Sequence, residues 1–206
     1  MQRNLLIIGC FLAALPVILG AFGAHGLKAR ISPEHLQIFE TGVYGYTGKF
    51  VPTVGANADA GILTNPTFNK KGYRDERIGI HAILYPQPFG LQSEWNWGQS
   101  PQLSADMTQI ESGNINGGYV QAMYKIDNRW GTWIPYVKWQ KYNGAEKDTT
   151  NTPFSRVRET EVGIEWQVND QIELVAAYAN MERTNVKTLH HVKNANIMRF
   201  QLQWKY

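Results

Sequence analysis

The sequence predicts a mainly β protein: an antiparallel transmembrane β-barrel of about eight strands, partial or small, preceded by an N-terminal hydrophobic α-helix and a short second helix. Three observations predict it. From about Gly48 onward, apolar and polar residues alternate with a period of two. The segments between these runs are alternately short and long. Residues Leu5 to Ala24 carry no charge, over about the length that crosses a bilayer as a helix.

The N-terminal stretch reads either as a retained membrane helix or as an export signal. Arg3 in front and Lys28 and Arg30 behind place positive charge on both flanks, so its orientation stays open. As a signal, Arg3 is the n-region and cleavage falls near Ala21-Phe22-Gly23. The single cysteine, Cys10, excludes an intrachain disulfide framework and reads as a plain helix residue. A short helix is expected next. Ser32 caps it, Pro33 suits its first turn, Glu34 favours its positive end, and Leu36, Phe39 and Val43 share one face.

Period two then takes over, after a weaker candidate strand at 43–52. Ile78, Ile80, Ala82 and Leu84 share one side. Leu91, Trp95 and Trp97 oppose Gln92, Glu94 and Asn96. Val120, Ala122, Tyr124 and Ile126 oppose Gln121 and Lys125, and Trp133, Val137 and Trp139 oppose Lys138 and Gln140. Val162, Ile164, Trp166 and Val168 oppose Glu161, Glu165 and Gln167. Ile172, Leu174, Ala176 and Tyr178 oppose Glu173. The run "MRFQLQWKY" ends the series: Met198, Phe200, Leu202, Trp204 and Tyr206 oppose Arg199, Gln201, Gln203 and Lys205. About ten residues each is what a tilted membrane strand needs. Pro135 opposes the scheme mildly, since a proline removes a ladder hydrogen bond.

The connections separate a membrane barrel from a soluble sandwich. Residues 86–89, 126–131 and 169–171 read as short turns, and 98–116, 143–155 and 182–196 as long loops. A sandwich has no reason to sort its loops by end, whereas an outer-membrane barrel has turns on one side and loops on the other. The aromatics agree. Tyr124, Trp133, Trp166, Trp204 and Tyr206 fall toward the turn rim, and Trp97, Trp139 and Tyr178 toward the loop rim, at headgroup depth.

Two segments resemble known families. "LGAFGAHGLK" (19–28) with "SPEHLQIFETGVY" (32–44) resembles the domain of unknown function 423 family of small inner-membrane proteins. "YTGKFVPTVG", "DERIGIHAILYPQPFGLQSEWNWGQSPQL", "GGYVQAMYKIDNRWGTWIPYVKWQKYNGAEK", "ETEVGIEWQVNDQIELVAAYANMERTN" and "FQLQWKY" resemble the C-terminal half of the phosphate-selective porin O/P family. The second resemblance implies sixteen-stranded barrels assembled as trimers, of which this chain supplies about half. It transfers no phosphate site residue by residue. Together they divide the chain into residues 1–45, the two helices, and 46–206, the porin-like β portion, with a joint near 44–48. A natural fusion, a rearranged gene or a misassembled sequence would each make such a joint.

If the apolar rows meet lipid, the opposite rows line water. The expected pore-lining residues are Glu94, Gln121, Lys125, Lys138, Gln140, Glu161, Glu165, Glu173, Arg199, Gln201, Gln203 and Lys205. Their mixed signs fit a hydrophilic path tuned by charge, and equally fit cross-strand pairs that merely keep the wall wet. Lys70, Lys71, Arg74, Lys147, Arg183, Lys187 and Lys193 fall in expected outer loops, diluted by Glu146, Asp148 and Glu182, and would attract anions only where one sign dominates.

No enzyme, cofactor or metal is expected. His190-His191 lack a third ligand at usable spacing, and no nucleophile, P-loop or dinucleotide motif is present. A net charge of +3 without a dense basic run excludes a nucleic-acid surface. The expected function is an outer-membrane porin, whole or in part, passing small hydrophilic solutes or anions such as phosphate. Its expected partners are the lipid bilayer, the barrel-assembly machinery through the aromatic-ended last strand, and its own copies as a homotrimer. Three alternatives remain: an inner-membrane protein anchored by its N-terminal helix, a closed barrel filled with side chains that transports nothing, and a soluble β-rich binding domain.

Overall fold

The structure, a computed structural model, describes residues 39–56, 62, 64–185 and 192–205. Cys10, His25, the hydrophobic stretch, the proposed cap at Ser32, Lys187, His190, His191 and Tyr206 lie outside the described residues.

Nine strands form one sheet: β1 (Phe39–Phe50), β2 (Tyr73–Leu84), β3 (Phe89–Leu103), β4 (Ile110–Tyr124), β5 (Ile126–Asn128), β6 (Gly131–Ala145), β7 (Phe154–Gln167), β8 (Ile172–Asn185) and β9 (Val192–Trp204). Every pairing is antiparallel, and the order follows the chain as an up-and-down meander. β5 is a three-residue arm paired only with β6. The eight long strands match the expected number.

The register keeps the apolar rows together across the sheet. Val43 faces Ile80, Ile80 faces Trp95, Val120 faces Trp139, Val137 faces Val162, Ile164 faces Ala176, and Ala176 faces Phe200. Among the described residues no protein layer covers this face. Ile80, Trp97, Val137, Val162 and Tyr178 are exposed, and Met198, Phe200, Leu202 and Trp204 are 68 to 76 % exposed. On the opposite face Glu159 and Glu161 are each only 3 % exposed. Polar in and apolar out is the reverse of a water-soluble sheet.

Each apolar row is bounded. Past Trp97, Trp139 and Tyr178 the same face continues with Gln99, Lys141 and Asn180, and Asn180 bonds Asn196 across the strands at 2.9 Å. Seven residues at about 3.3 Å each make about 23 Å of apolar strand, close to the band height of membrane barrels. Aromatics mark both limits. Trp133 stacks on Trp166 near the turns, with centroids 4.6 Å apart and planes 8° apart, and Trp166 Nε1 donates to the Trp130 carbonyl at 2.8 Å. Trp95 leans on Trp139 at 6.2 Å near the loop limit.

The one apolar core among the described residues lies at the loop end. Ile62, Leu103 and Ile110 pack with Val54, Phe68, Tyr73 and Met107. The loop at 146–153 folds across to the start of the 51–72 loop and docks there through Asn151, which is buried. Its side chain donates to the Gly55 carbonyl at 2.7 Å and accepts from the Gly55 N–H at 2.9 Å, and its own N–H reaches the Thr53 carbonyl at 2.7 Å. Asn151 and Thr152 both have positive φ, 66° and 43°. Asn tolerates this, while a β-branched Thr holds it only where surrounding bonds enforce it, such as Leu103 N–H on the Thr152 carbonyl at 3.0 Å.

Three expectations need correction. The short helix does not extend past residue 38, because 39–50 is strand. The spacing of Leu36, Phe39 and Val43 suits a helix, but Phe39 and Val43 also share a strand face, and Thr41, Val43, Tyr44 and Tyr46 favour the strand. Residues 44–48, where the two resemblances meet, lie inside β1, whose register against β2 runs unbroken from Phe39 to Phe50. The sheet is open: β1 and β9 do not pair, so the closed, side-chain-filled barrel is not formed. Two expected long loops contract to 104–109 and 146–153, and β8 and β9 take over residues of the third, because the strands run beyond the apolar belt. Pro135 sits where the neighbour of β6 changes from β4 to β5, at a break in the ladder.

Asn151→Ala removes two side-chain bonds and a residue suited to positive φ. It should loosen the 146–153 loop by about 2 kcal/mol, roughly thirtyfold in local opening. Limited proteolysis at low protease concentration should register this as faster cleavage within that loop and unchanged cleavage elsewhere.

Candidate functional site

The polar face is the candidate site, and the strand alternation builds it. Glu94, Gln121, Lys138, Gln140, Glu161, Glu165, Glu173, Arg199, Gln201 and Gln203 all take the register of this face. Lys125 and Lys205 do not belong to the wall. Lys125 follows β4 in the turn and pairs with Asp127 at 3.2 Å, and Lys205 follows β9 with its N–H on the Gln171 carbonyl at 2.9 Å.

One cluster ties three strands together. Glu161 on β7 accepts from Lys138 Nζ at 3.1 Å and Tyr136 at 3.0 Å, both on β6. Arg199 on β9 reaches over β8 to the same carboxylate, and its two terminal nitrogens grip Glu159 at 3.0 and 3.2 Å. Two strand spacings are about 9.6 Å, within the reach of an arginine only if nothing bulky stands between. Arg199 faces Ala177 and Glu161 faces Ala179, so β8 leaves the way clear. Tyr136 lies over Gly163, where an added Cβ would come within 2.5 Å of the phenol ring.

Several other polar groups are also paired. Tyr44 donates to Glu94, which accepts from Asn96 as well, at 3.1 Å. Gln92 donates to Tyr119 at 2.7 Å, and Gln167 to Glu165 at 2.6 Å. Toward the loops, Lys147 meets Asp75 at 2.7 Å and lies over the rings of Tyr46 and Phe50. Burial works against the charge on Lys147, but the hydrogen bonds to Asp75 and Tyr46 outweigh it and raise its pKa. Its link to Asp75 is therefore complete below the ordinary lysine value and lost only as pH rises through the raised one.

Three residues of the expected basic mouth are compensated, while Lys70 and Lys71 make no ion pair among the described residues. Arg74 lies on β2 and pairs with Glu76 at 2.7 Å, Arg183 lies on β8 and pairs with Glu146, and Lys147 holds Asp75. By contrast, Glu94, Glu165 and Glu173 have no ion-pair partner among the described residues. Arg77 on the same face also makes no ion pair among the described residues, so these unpaired groups set three carboxylates against one guanidinium.

Sequence reasoning missed Glu159, Asp75, Arg77 and the tyrosines of the polar face. Running the alternation back two residues from Glu161 finds Glu159, and Tyr119 and Tyr136 are in phase with Gln121 and Lys138. Arg77 carries a buried Nε that has no hydrogen-bond partner among the described residues. Among the described residues no group of three metal-ligating side chains occurs. No described helix is long and apolar enough to cross a membrane, which says nothing about strands.

Arg199→Ala should destabilise the folded protein by about 2 kcal/mol, because two carboxylates keep only Lys138 between them. Urea unfolding of detergent-folded protein measures it. Arg199→Lys should recover less than half, since an ammonium cannot grip Glu159 with two nitrogens.

Residues 27–206 match the family model described as "Phosphate-selective porin O and P". A curated relative, the "UPF0382 membrane protein YwdK" of Bacillus subtilis (strain 168), is 44% identical over 65 residues, covering 30% of this chain and 53% of the relative. The chain thus spans about half the length of that relative. No solved structure matches it.

Proposed function

We propose a function that proceeds from one premise: this chain belongs to the phosphate-selective porin O and P family. On that premise the described sheet is wall of an outer-membrane porin, and its polar face borders a path for passive diffusion of small hydrophilic solutes. The observation that carries this reading is the uncovered apolar face set against a hydrogen-bonded polar one. No covalent chemistry and no enzyme activity belong to it. Insertion by the barrel-assembly machinery and assembly as a homotrimer are proposed from the family likeness alone.

Solute sign divides two readings. The family's description favours phosphate and other anions. The charge balance of the wall described here does not favour anions: Lys138 and Arg199 are neutralised by Glu159 and Glu161, and the unpaired Glu94, Glu165 and Glu173 outnumber the unpaired Arg77. We take general diffusion as the reading this wall supports, with any anion preference arising outside it. An N-terminal membrane segment, cleaved or retained, is a further proposal. It is supported by likeness to a curated membrane protein, and N-terminal sequencing of the protein from membranes tests it.

The chain should fold only in detergent or lipid, migrate in a heat-modifiable way, and conduct in planar bilayers. A protein that folds as a monomer in plain buffer overturns the porin reading. In a salt gradient, Glu165→Gln with Glu173→Gln should move the reversal potential toward anions. An unchanged potential would place selectivity elsewhere than on this wall.

A further inference from the structure

One charged patch on the outward face has no part in the polar path. On β6 and β7 the apolar row gives way to cations toward the loop end. Lys141 follows Trp139 on the outward face of β6 and stands directly opposite Arg158 of β7. Arg156 comes next on β7, opposite Asn143. All three cations are exposed. We propose that this patch binds the phosphate-bearing headgroup of a membrane lipid in the loop-side leaflet, with the lipid's acyl chains laid along the apolar rows of β6 and β7. This rests on the porin reading above, because it needs the apolar face in hydrocarbon.

The register sets the patch apart. Like charges placed directly opposite on neighbouring strands destabilise a sheet. Neither Lys141 nor Arg158 makes an ion pair among the described residues, although Glu182 faces Arg158 from β8. Lys141 leans the other way, across Gly118, and holds its Nζ 5.3 Å from the centre of the Trp95 ring. Arg156 donates Nε to Asn143 at 2.9 Å, which leaves its terminal nitrogens without a partner among the described residues. An anion shared by Lys141 and Arg158 removes the repulsion. Arginine takes a phosphate through two parallel bonds, and lysine adds a point charge.

Depth selects a lipid. The step from Trp139 to Lys141 is about 7 Å along the strand. A strand tilt of ~35–45° turns this into about 5 Å of depth. The headgroup layer is roughly 5–8 Å thick on each side of the hydrocarbon. Lys141 and Arg158 therefore lie at phosphate level, with Trp139 at the boundary beneath them. Below that, Val137 and Val162 face each other and are exposed, a surface for acyl chains. A free phosphate ion would meet the same cations but would gain nothing from these rows. Both strands have neighbours on either side, so the exposure of the patch does not come from a sheet edge.

Native mass spectrometry of the full chain folded in detergent tests the proposal. The probes are lipid A, lipid A stripped of its phosphates, and inorganic phosphate. The chain should retain phosphorylated lipid A about tenfold more tightly than the stripped form. Lys141→Gln with Arg158→Gln should remove that preference, whereas Lys70→Gln with Lys71→Gln should keep it. Heat-modifiable migration gives a second readout. Without lipid, the Lys141→Gln, Arg158→Gln chain should resist heat at least as well as its parent, because a repulsion is gone. Only the parent should gain resistance from phosphorylated lipid A. Three results would overturn the inference: equal retention of both lipid forms, a preference that survives the double substitution, or inorganic phosphate bound as tightly as the lipid. A change in copies per particle with unaltered lipid retention would also overturn it and assign the patch to contact between copies. Planar-bilayer conductance separates this site from the porin reading. A chain that conducts but ignores the lipid's phosphates sinks the lipid site alone. A chain that holds the lipid through Lys141 and Arg158 but never conducts sinks the porin reading and keeps the site.

Discussion

Everything in this fold depends on which solvent meets which face of the sheet. A β-sheet satisfies its interior hydrogen bonds wherever it is placed, so its faces decide where it can exist. Here the row from Met198 to Trp204 is about three-quarters exposed, while Glu159 and Glu161 are almost fully shielded. In water this arrangement would leave apolar area uncovered and desolvate carboxylates for no gain. In a bilayer both terms reverse sign: lipid covers the apolar row, and the carboxylates face a wet interior with Arg199 and Lys138 beside them.

That inversion explains where order is concentrated. The belt needs no packed core, because hydrocarbon supplies the contacts. Where the belt stops, water returns on both sides, and conventional protein architecture returns with it. Ile62, Leu103 and Ile110 form a small core, Asn151 is buried with its bonds satisfied, and Lys147 joins its loop to β2 through Asp75. The loop end is thus a cap built by ordinary rules on a wall built by inverted ones.

Legibility in the sequence followed the same division. Inside the belt one face is apolar and the other polar, so the alternation from Trp133 to Trp139 or from Met198 to Trp204 reads directly as strand, with the facing of each residue. Beyond the belt both faces are polar. Gln99 to Gln102 and Ser112 to Asn116 carry no contrast, and the strand is invisible there although the ladder continues to Leu103 and Ile110. The misread stretch at Phe39–Val43 has another cause: two apolar residues four apart satisfy helix and strand alike, and only pairing with Leu84 and Ile80 decides. Charge partners were the least legible. That Arg199 meets Glu159 and Glu161 depends on alanines in a strand between them, and that Lys147 meets Asp75 depends on a loop crossing the sheet. Neither follows from local spacing.

The pairing of charges also limits what family membership conveys. A basic residue in a porin wall attracts anions only while its field is not cancelled nearby. On this sheet the arginine and lysine nearest the middle of β6–β9 are already engaged in holding strands together, and their role is to fasten β9 to β7 across β8. Selectivity and wall integrity compete for the same side chains, and here integrity has taken them. The carboxylates left over, Glu94, Glu165 and Glu173, are held by neutral donors or by none. A porin that prefers phosphate must overcome that field with cations contributed by other parts of its wall.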